Sequence, residues 1–315
     1  MGVGLAFISA LAFSSNYIFI QNGMKRSKKD NGEFLSLFTM VILIAVLELL
    51  RIAIYGGPRM PLALENFVYF ALAGIFTAFV GRILLFAGIR RIGSSRVAAL
   101  KNTAPVFTVI IAVLLLGERI SFWGGVGMAV IFAALFLQAL HDFHQSKLPR
   151  ADETKPTSPQ DSGQKAPQSK LRSGLLLSFS AALFIGLGQI SRKQGMVDFD
   201  DPILGSLIGS SVALLLFLLM KSVNGSLKET ILSNLRHFNT HFVVAGMLTG
   251  IAQISFFAAL LYTNVSYASV VAAMEPIITV FLVKLFLRRE EKVTLRMGAT
   301  AVTIFLGTFI IIFGK

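Results

Sequence analysis

Runs of about 20 mostly apolar residues follow one another along almost the whole chain, and they restrict its fold more than any other feature. A helix needs about 20 such residues to cross the hydrocarbon core of a bilayer. Inside lipid a backbone must satisfy its own hydrogen bonds, so each run predicts a helix. The sequence therefore predicts an all-α integral membrane protein with ten transmembrane helices, at 2–20, 34–55, 66–89, 96–116, 122–140, 173–191, 202–220, 242–262, 266–287 and 295–313.

The composition agrees with a membrane protein and argues against nucleic-acid binding. Of the 315 residues, 55% are hydrophobic and 14% are charged, whereas about 25% are charged in soluble domains. The net charge of +13 would suit nucleic acid, but the cations lie in short loops between apolar runs and no aromatic–basic motif is present. Cysteine is absent from the sequence, which excludes disulfides and thiol chemistry.

The second half of the chain repeats the first at an offset of 171–172 residues. SALAF at 9–13 matches SAALF at 180–184, and the pair Gly23-Met24 matches Gly195-Met196. Such matches recur in the same order along five predicted helices, which indicates a duplicated five-helix unit. Because five is odd, the second unit must enter the membrane in the opposite orientation. The sequence thus predicts two inverted five-helix repeats.

A polar segment separates the two predicted repeats. Residues 141–172 are rich in Pro, Ser, Gln and Lys and poor in apolar side chains, so they cannot bury enough surface to order themselves. We expect repeats at 1–140 and 173–315, joined by a disordered tether at 141–172. The alternative is that this linker regulates the protein or binds a partner.

The distribution of charge predicts how the chain lies in the membrane. KRSKK at 25–29 and VDFDD at 197–201 occupy matching corners of the two repeats but carry opposite charge. Cytoplasmic loops carry the excess of Lys and Arg. Twenty Lys and Arg lie in the loops of one side, while the other side and the C-terminus hold five, namely Arg59, Arg119, Arg192, Lys193 and Lys315. We therefore predict a multi-pass plasma-membrane protein with both termini outside and the linker in the cytoplasm.

Ionisable residues within spans are costly and usually face a cavity or another charge. Beyond the first turn of each predicted helix there are six: Glu48, Arg51, Arg82, Lys101, Glu275 and Lys284. Glu48 and Arg51 are one turn apart near the outer end of the second helix, so they form either a simple ion pair or an outer gate. Lys284 is near a cytoplasmic end, where its long side chain can reach the headgroups.

Arg82 and Lys101 are predicted to lie at one depth, roughly 8–11 Å below the cytoplasmic boundary at 1.5 Å per residue. Two cations at one level repel each other unless an anion lies between them. That anion is either a carboxylate or phosphate of a bound solute or the carboxylate of Glu275. Both side chains are also long enough to extend to the membrane interface instead.

Two prolines occupy matching positions near mid-membrane, Pro105 in the fourth helix and Pro276 in the ninth. Neither can donate a backbone hydrogen bond to the carbonyl four residues earlier. Paired interruptions in inverted repeats are a strong sequence indicator of a solute site, although each can also be a structural kink. Glu275 precedes Pro276 and either neutralises Lys101 or takes up a proton, because burial raises the pKa of a carboxyl group.

Polar amides provide the remaining candidates for contact with a solute. Asn16, Asn102, Gln189 and Gln253 lie on predicted helices that would line a pathway. Gln253 aligns with Arg82, so the two repeats would present different chemistry at one repeated position. Each amide can equally form an interhelical hydrogen bond.

Two stretches resemble a known family: RVAALKNTAPVFTVIIAVLLLGERIS at 96–121 and YASVVAAMEPIITVFLVKLFLRREEKVT at 267–294. With ten spans and two five-helix repeats, the chain resembles the drug/metabolite transporter superfamily in its EamA-domain branch. The resemblance implies a pathway between the halves, lined mainly by the first four helices of each. Its members include exporters of amino acids and other metabolites, nucleotide-sugar carriers and flippases for lipid-linked sugars. The second corner departs from the family pattern, because Glu290 replaces the expected glycine.

No enzyme signature accompanies these features. His-Glu-x-x-His, Gly-x-Ser-x-Gly and phosphate-loop motifs are missing from the sequence, so we expect no catalysis, metal or cofactor. The expected function is secondary active export of a small solute, such as an amino acid or related metabolite, driven by a proton, another ion or the solute gradient. The alternatives are a flippase for a lipid-linked substrate and a membrane scaffold or sensor that transports nothing. We expect a monomer, in which small residues allow close packing inside one bundle, or a homodimer formed through the fifth or tenth helix.

Overall fold

The structure is a computed structural model. It describes residues 1–26, 32–57, 62–92, 100–101, 103–145, 168–197, 199–236 and 238–275, together with positions 278, 281–282, 299, 302–303, 306–307 and 309–310. The α-helices of this part, in chain order, are α1 Gly2–Arg26, α2 Glu33–Tyr55, α3 Leu64–Gly74, α4 Arg82–Ile92, α5 Ala104–Leu116, α6 Phe122–Gln145, α7 Gln168–Gly195, α8 Pro202–Val223, α9 Leu227–Arg236, α10 Thr240–Tyr262 and α11 Val265–Ala272.

A π-helical segment, Ile75–Gly81, joins α3 to α4 without a break. Gly74, Ile75 and Arg82 all keep right-handed helical backbone angles. The three pieces therefore form one long helix, and its apolar part, Leu64–Leu85, is long enough to cross a bilayer.

Within the described residues, six helical stretches are long and apolar enough to span a membrane: Gly2–Ile20, Glu33–Tyr55, Leu64–Leu85, Arg172–Gly195, Pro202–Val223 and Thr240–Tyr262. They correspond to the first, second, third, sixth, seventh and eighth predicted helices. α5 and the apolar part of α6, Phe122–Ala134, are shorter apolar stretches at the predicted fourth and fifth positions. α11 begins the predicted ninth helix, and most of the tenth lies outside the described residues. The prediction of an all-helical, multi-pass membrane fold is confirmed.

Two helices extend into the predicted linker from its ends. α6 continues to Gln145 and α7 begins at Gln168. Residues 146–167, the remainder of the predicted linker, lie outside the part of the chain that the structure describes.

The buried core lies mainly between the two halves of the chain. One cluster joins Ala112 and Ile131 of the first half to Phe256, Leu260 and Val271 of the second. A second joins α2 to α8 through residues such as Met40 and Phe217. Burial of apolar surface stabilises the contact between the helices that share it. The apolar core within the protein therefore also holds its two halves together.

Helix packing is reciprocal between the halves. α1 packs on α10, and α7 packs on α3 and α4, so the first helix of each half lies against the third predicted helix of the other. In the same way α2 packs on α10 while α8 packs on α3, and α11 packs on α1 while α5 packs on α7.

The Gly-Met corners show this reciprocity in atomic contacts. A Cβ on Gly23 would lie 2.6 Å from the ring of Phe242, and a Cβ on Gly195 would lie 2.6 Å from the ring of Phe70. Gly23 and Gly195 are 172 residues apart, and so are Phe70 and Phe242. Both corners therefore use glycine because an aromatic ring of the opposite half occupies the space that a side chain would need.

An asparagine side chain secures each of these corners. Asn239 Nδ2 donates to Gly23 O at 3.1 Å, and Asn66 Nδ2 donates to Gly195 O at 3.1 Å and to Val197 O at 2.9 Å. The carbonyls at the ends of α1 and α7 have no partner within their own helices. Side chains of the opposite half therefore supply hydrogen bonds to both corners.

Candidate functional site

The fourth and ninth predicted helices are both interrupted near the level of the prolines. α5 begins at Ala104, and Pro105 lies in its first turn. α11 ends at Ala272, and residues 273–274 form a turn before Glu275. The two interruptions are about 171 residues apart and so occupy equivalent positions in the two halves. Pro276 lies outside the described residues.

Lys101 and Glu275 meet beside these interruptions. Lys101 Nζ lies 3.4 Å from Glu275 Oε1, and their side chains are 27% and 16% exposed. Ser14 of α1 donates to the backbone oxygen of Glu275 at 2.7 Å. The structure therefore brings two sequence-predicted site residues together across the halves and gives Lys101 a carboxylate partner within the protein.

The other predicted cations and amides fall into separate positions. Arg82 begins α4 and is half-buried. Asn16 is buried in α1, and its Oδ1 has no hydrogen-bond partner. Asn102 and Lys284 lie outside the described residues. The two glutamines, Gln189 and Gln253, converge on a residue that the sequence pattern places in a loop.

That residue is Arg192, which lies within α7 and is only 6% exposed. Its NH1 donates to Gln189 Oε1 at 3.3 Å, and its NH2 donates to Thr77 Oγ1 at 3.1 Å and to Gln253 Oε1 at 3.4 Å. All three acceptors are neutral, and Nε is buried without a partner. We call Arg192, Thr77, Gln189 and Gln253 the Arg192 cluster.

Aromatic rings complete the surroundings of Arg192. The guanidinium carbon lies 5.0 Å from the ring centre of Phe257 and 5.7 Å from that of Phe256. Rings at these distances attract a cation through their quadrupole. Gln253 also donates from Nε2 to Met40 Sδ at 3.1 Å, so the cluster contacts helices of both halves.

The prediction that Arg192 lies in a loop was wrong, because the residue is buried within a helix. The sixth helix was predicted to end at 191, but α7 continues to Gly195. Treating the Arg-Lys pair as a loop hid this extension. The signal in the sequence was Gln189 three residues before Arg192, a spacing that places two polar side chains on one helix face.

A second charged network joins α2 to the start of α8. Arg51 Nε donates to Glu48 Oε2 at 2.9 Å, which is the ion pair of the simpler prediction. Arg51 NH2 also lies 2.7 Å from Asp201 Oδ2. Asp201 accepts from Leu204 N at 3.0 Å and so caps α8. Burial raises the pKa of Asp201, while the hydrogen bond from Leu204 and the charge of Arg51 act in the opposite direction. The network is a contact between the two halves.

The Gly-Glu corner after α5 also connects the halves. Gly117 has a φ of 62° and ends α5 in the left-handed region that favours glycine. Glu118 then accepts from Val265 N at 2.7 Å and from Ser266 N at 3.2 Å and Ser266 Oγ at 2.6 Å. The carboxylate therefore caps the N-terminus of α11, where its charge also suits the helix dipole.

Lys193, the neighbour of Arg192, binds the end of α10, just before α11 begins. Its Nζ donates to Leu260 O at 2.6 Å and to Thr263 O at 3.3 Å, at the C-terminal end of α10. Cations are favourable at helix C-termini because unpaired carbonyls lie there. Arg192 and Lys193 are adjacent in sequence but differ in role, since only Lys193 has backbone carbonyls as partners.

These features define a multi-pass helical membrane protein whose charged and amide side chains meet between its halves. The family model for the EamA-like transporter family matches residues 1–140 and 172–313, which is most of the sequence. The chain belongs to the EamA-like transporter family. The resemblance to this family seen in the sequence is therefore confirmed.

Two further comparisons agree with this family. A segment of 80 residues is 32% identical to a protein described as "Uncharacterized transporter YcbK" from Bacillus subtilis (strain 168), covering 24% of this chain and 26% of that protein. The match thus spans about a quarter of the length of this relative. A solved crystal structure of another protein superposes with a TM-score of 0.68 at 13% identity, covering 100% of this chain and 99% of its own. This likeness shows a shared fold.

Proposed function

We propose that this protein is a secondary active transporter that exports a small organic solute, such as an amino acid or a related metabolite. Its ten helices form two inverted repeats, residues 1–140 and 173–315, joined by the cytoplasmic linker 141–172. The two repeats move against each other so that a site between them opens alternately to either side of the plasma membrane. Both chain termini lie outside.

The observation that carries this proposal is the reciprocal contact of the Gly-Met corners. Gly23 faces Phe242 and Gly195 faces Phe70, so each half gives the other the same contact that it receives. Two halves related in this way can exchange their conformations at little cost in energy. Exchange between two related conformations, around a site at the repeat interface, is how transporters with inverted repeats work.

The charged groups near mid-membrane support a solute site at the interface of the repeats. Lys101 and Glu275 meet next to two helix interruptions. Charges at this depth are costly and usually serve a pathway. With no nucleotide-binding motif in the sequence, the driving energy comes from an ion or solute gradient. Export is favoured because the layer of Arg82 and Lys101 is predicted to lie nearer the cytoplasm.

Flux into proteoliposomes tests the proposal. Vesicles that contain the purified chain are screened with labelled amino acids and organic acids, with and without a pH gradient, and protein-free vesicles are the control. We expect protein-dependent flux of at least one solute. If Glu275 carries the coupling proton, Glu275→Gln abolishes flux driven by the pH gradient while solute exchange persists. Equal loss of both activities would exclude coupling through Glu275, and no flux across the whole panel would contradict the proposed function.

A further inference from the structure

We propose that the Arg192 cluster is a binding site for the carboxylate of a solute, with Phe256 and Phe257 against the solute's apolar part. This inference rests on the proposed transport function and adds the chemical class of the substrate, a small organic acid or zwitterion that carries an apolar group. Four observations support it: the burial of Arg192, its unused donors, its place between the halves and the contrast with the other cations.

The first observation is the burial of a charge with neutral partners. Arg192 is 6% exposed, and its hydrogen-bond partners are one hydroxyl and two amide oxygens. A buried cation without an opposite charge is among the most costly arrangements in a protein, and more so at membrane depth. An arginine retained under these conditions is suited to an anion that arrives from outside the protein.

The second observation is the count of donors. A guanidinium has five N–H groups. Three make hydrogen bonds of 3.1–3.4 Å in the cluster, and Nε is buried with none. One N–H on NH1 and the N–H on Nε are therefore left over. Hydrogen bonds from arginine to a carboxylate are short and charge-assisted. A carboxylate therefore suits these donors better than the neutral acceptors of the cluster do.

The third observation is the position of the cluster between helices that the two halves contribute. Thr77 belongs to the π-helical segment of the first half, while Gln189 and Gln253 belong to α7 and α10 of the second. A ligand held there contacts both halves and can bias their relative position, because a ligand shifts an equilibrium only through contacts that differ between the two states.

The fourth observation is the contrast with other buried or half-buried cations of known partners. Lys101 faces Glu275, Arg51 faces Glu48 and Asp201, and Lys193 donates to backbone carbonyls. Each of these cations already has a carboxylate or a backbone carbonyl at a helix end as its partner. In the described part of the chain, the hydrogen-bond partners of Arg192 are neutral side-chain oxygens.

The aromatic wall limits the type of solute. Phe256 and Phe257 lie within 6 Å of the guanidinium, and both are about 1% exposed. A phosphate ion is polar on all sides, so its oxygens against these rings would lose their hydration and gain no hydrogen bond in return. A carboxylate that carries an aliphatic or aromatic substituent places its charge on Arg192 and its apolar group on the rings.

Ligand-dependent thermal stability of the full chain in detergent tests the inference. The probes are 4-methylpentanoate, L-leucine and L-leucinamide, each at tens of millimolar in solutions adjusted to the same pH and ionic strength. They share an aliphatic group and differ in the carboxylate. We expect the two carboxylates to raise the melting temperature by about 2 °C and L-leucinamide to leave it unchanged. No shift with either carboxylate, or an equal shift with the amide, would overturn the proposal.

Variants separate binding from a purely structural role. Arg192→Gln should weaken the apparent affinity for 4-methylpentanoate at least 10-fold, and Arg192→Lys should weaken it less, because a lysine keeps the charge but loses the fork of donors. Arg119→Gln, which removes an exposed cation, should behave as the unchanged chain. If Arg192→Gln fails to fold, the comparison of Arg119→Gln with Arg192→Lys still tests the site, because we expect the lysine variant to bind 4-methylpentanoate more weakly. Equal affinity in that pair would show that Arg192 only holds helices together.

The fate of the proposed function is measured separately. Solute flux that persists in a chain without carboxylate-dependent stabilisation would overturn this inference and leave transport intact. Carboxylate binding that depends on Arg192, in a chain that moves no solute, would uphold the site and contradict the transport function.

Discussion

At the scale of single residues, the buried and partly buried charges of this chain are stabilised in different ways. Glu118 and Lys193 cap helix ends, where unpaired backbone groups await a partner. Lys101 and Glu275 pair with each other. The Arg192 guanidinium is surrounded by neutral oxygens and aromatic rings. The free-energy cost of a buried charge depends more on its partner than on its burial alone. Substitution of these groups should therefore change the stability by different amounts.

The Lys101–Glu275 pair provides a test of this difference. Lys101→Gln and Glu275→Gln each leave one charge without its partner, so we expect either variant to lower the stability by about 1–2 kcal/mol. The double variant removes both charges and should recover part of the loss. Melting temperatures of the four proteins in one detergent give the coupling energy. Strictly additive effects would show that the two side chains do not stabilise each other.

The sequence could identify most of the candidate polar residues but could not establish how they pair. Repeat alignment and helix position placed Lys101 and Glu275 near the helix interruptions. Nothing in the spacing of Gln189 and Gln253, 64 residues apart, indicates that they share a cation. Arg192 was missed because a charged pair at the end of an apolar run reads equally as a loop or as a helix end, and only packing against α3 and α10 distinguishes the two.

At the scale of helices, the close contacts at the ends of α1 and α7 determine which residues are tolerated. Gly23 and Gly195 each lie against a phenylalanine of the opposite half. Gly4, on the same helix as Gly23, has open space where a Cβ would lie. Substitutions at these positions therefore report on contact between halves rather than on helix propensity.

We expect Gly23→Ala and Gly195→Ala each to destabilise the protein by about 1–3 kcal/mol, the usual cost of overpacking. Gly4→Ala should be neutral or slightly stabilising, because alanine favours helix and meets no neighbour. A smaller side chain at the contacting phenylalanine should recover part of the lost stability. We expect Phe70→Leu to do so only for Gly195→Ala, and Phe242→Leu only for Gly23→Ala. Thermal unfolding of the singles and doubles measures this. Relief by the wrong phenylalanine would contradict reciprocal packing.

Helix boundaries were predictable where glycine or a polar cap ends an apolar run. The second and eighth helices were predicted at 34–55 and 242–262, and the structure has Glu33–Tyr55 and Thr240–Tyr262. The π-helical segment Ile75–Gly81 left no mark in the sequence. Its residues are as apolar as those on either side, and hydropathy does not depend on which carbonyl a backbone N–H reaches.

At the scale of the whole molecule, the proposed orientation is open to a direct test. Alkaline phosphatase folds only outside the cytoplasm, so a fusion after Lys315 should be active if the C-terminus lies outside. A fusion after Gln160, in the linker, should be inactive, while green fluorescent protein at the two sites should give the opposite pattern. Fluorescence at Lys315 together with activity at Gln160 would reverse the orientation derived from Lys and Arg.

The all-helical membrane class and the family follow from the sequence alone, because apolar run length and repeated corners are properties of the chain. The contacts between halves do not. They depend on surfaces that come together only after both halves have folded, as with Phe70 against Gly195 and Phe242 against Gly23. A repeat can be read by alignment, but the partner of each repeated residue is set by three-dimensional shape.

The π-helical segment is a joint at which the third span can twist about its own axis. An i→i+5 turn holds one residue more than an α-turn, so conversion of Ile75–Gly81 to α-helix would twist all that follows it by about 100° around the helix axis. Thr77, which accepts from Arg192, lies inside the segment, and Arg82 comes directly after it. Axial twisting at this joint would therefore carry Arg82 to another face of its helix without bending the span or exposing its backbone to lipid.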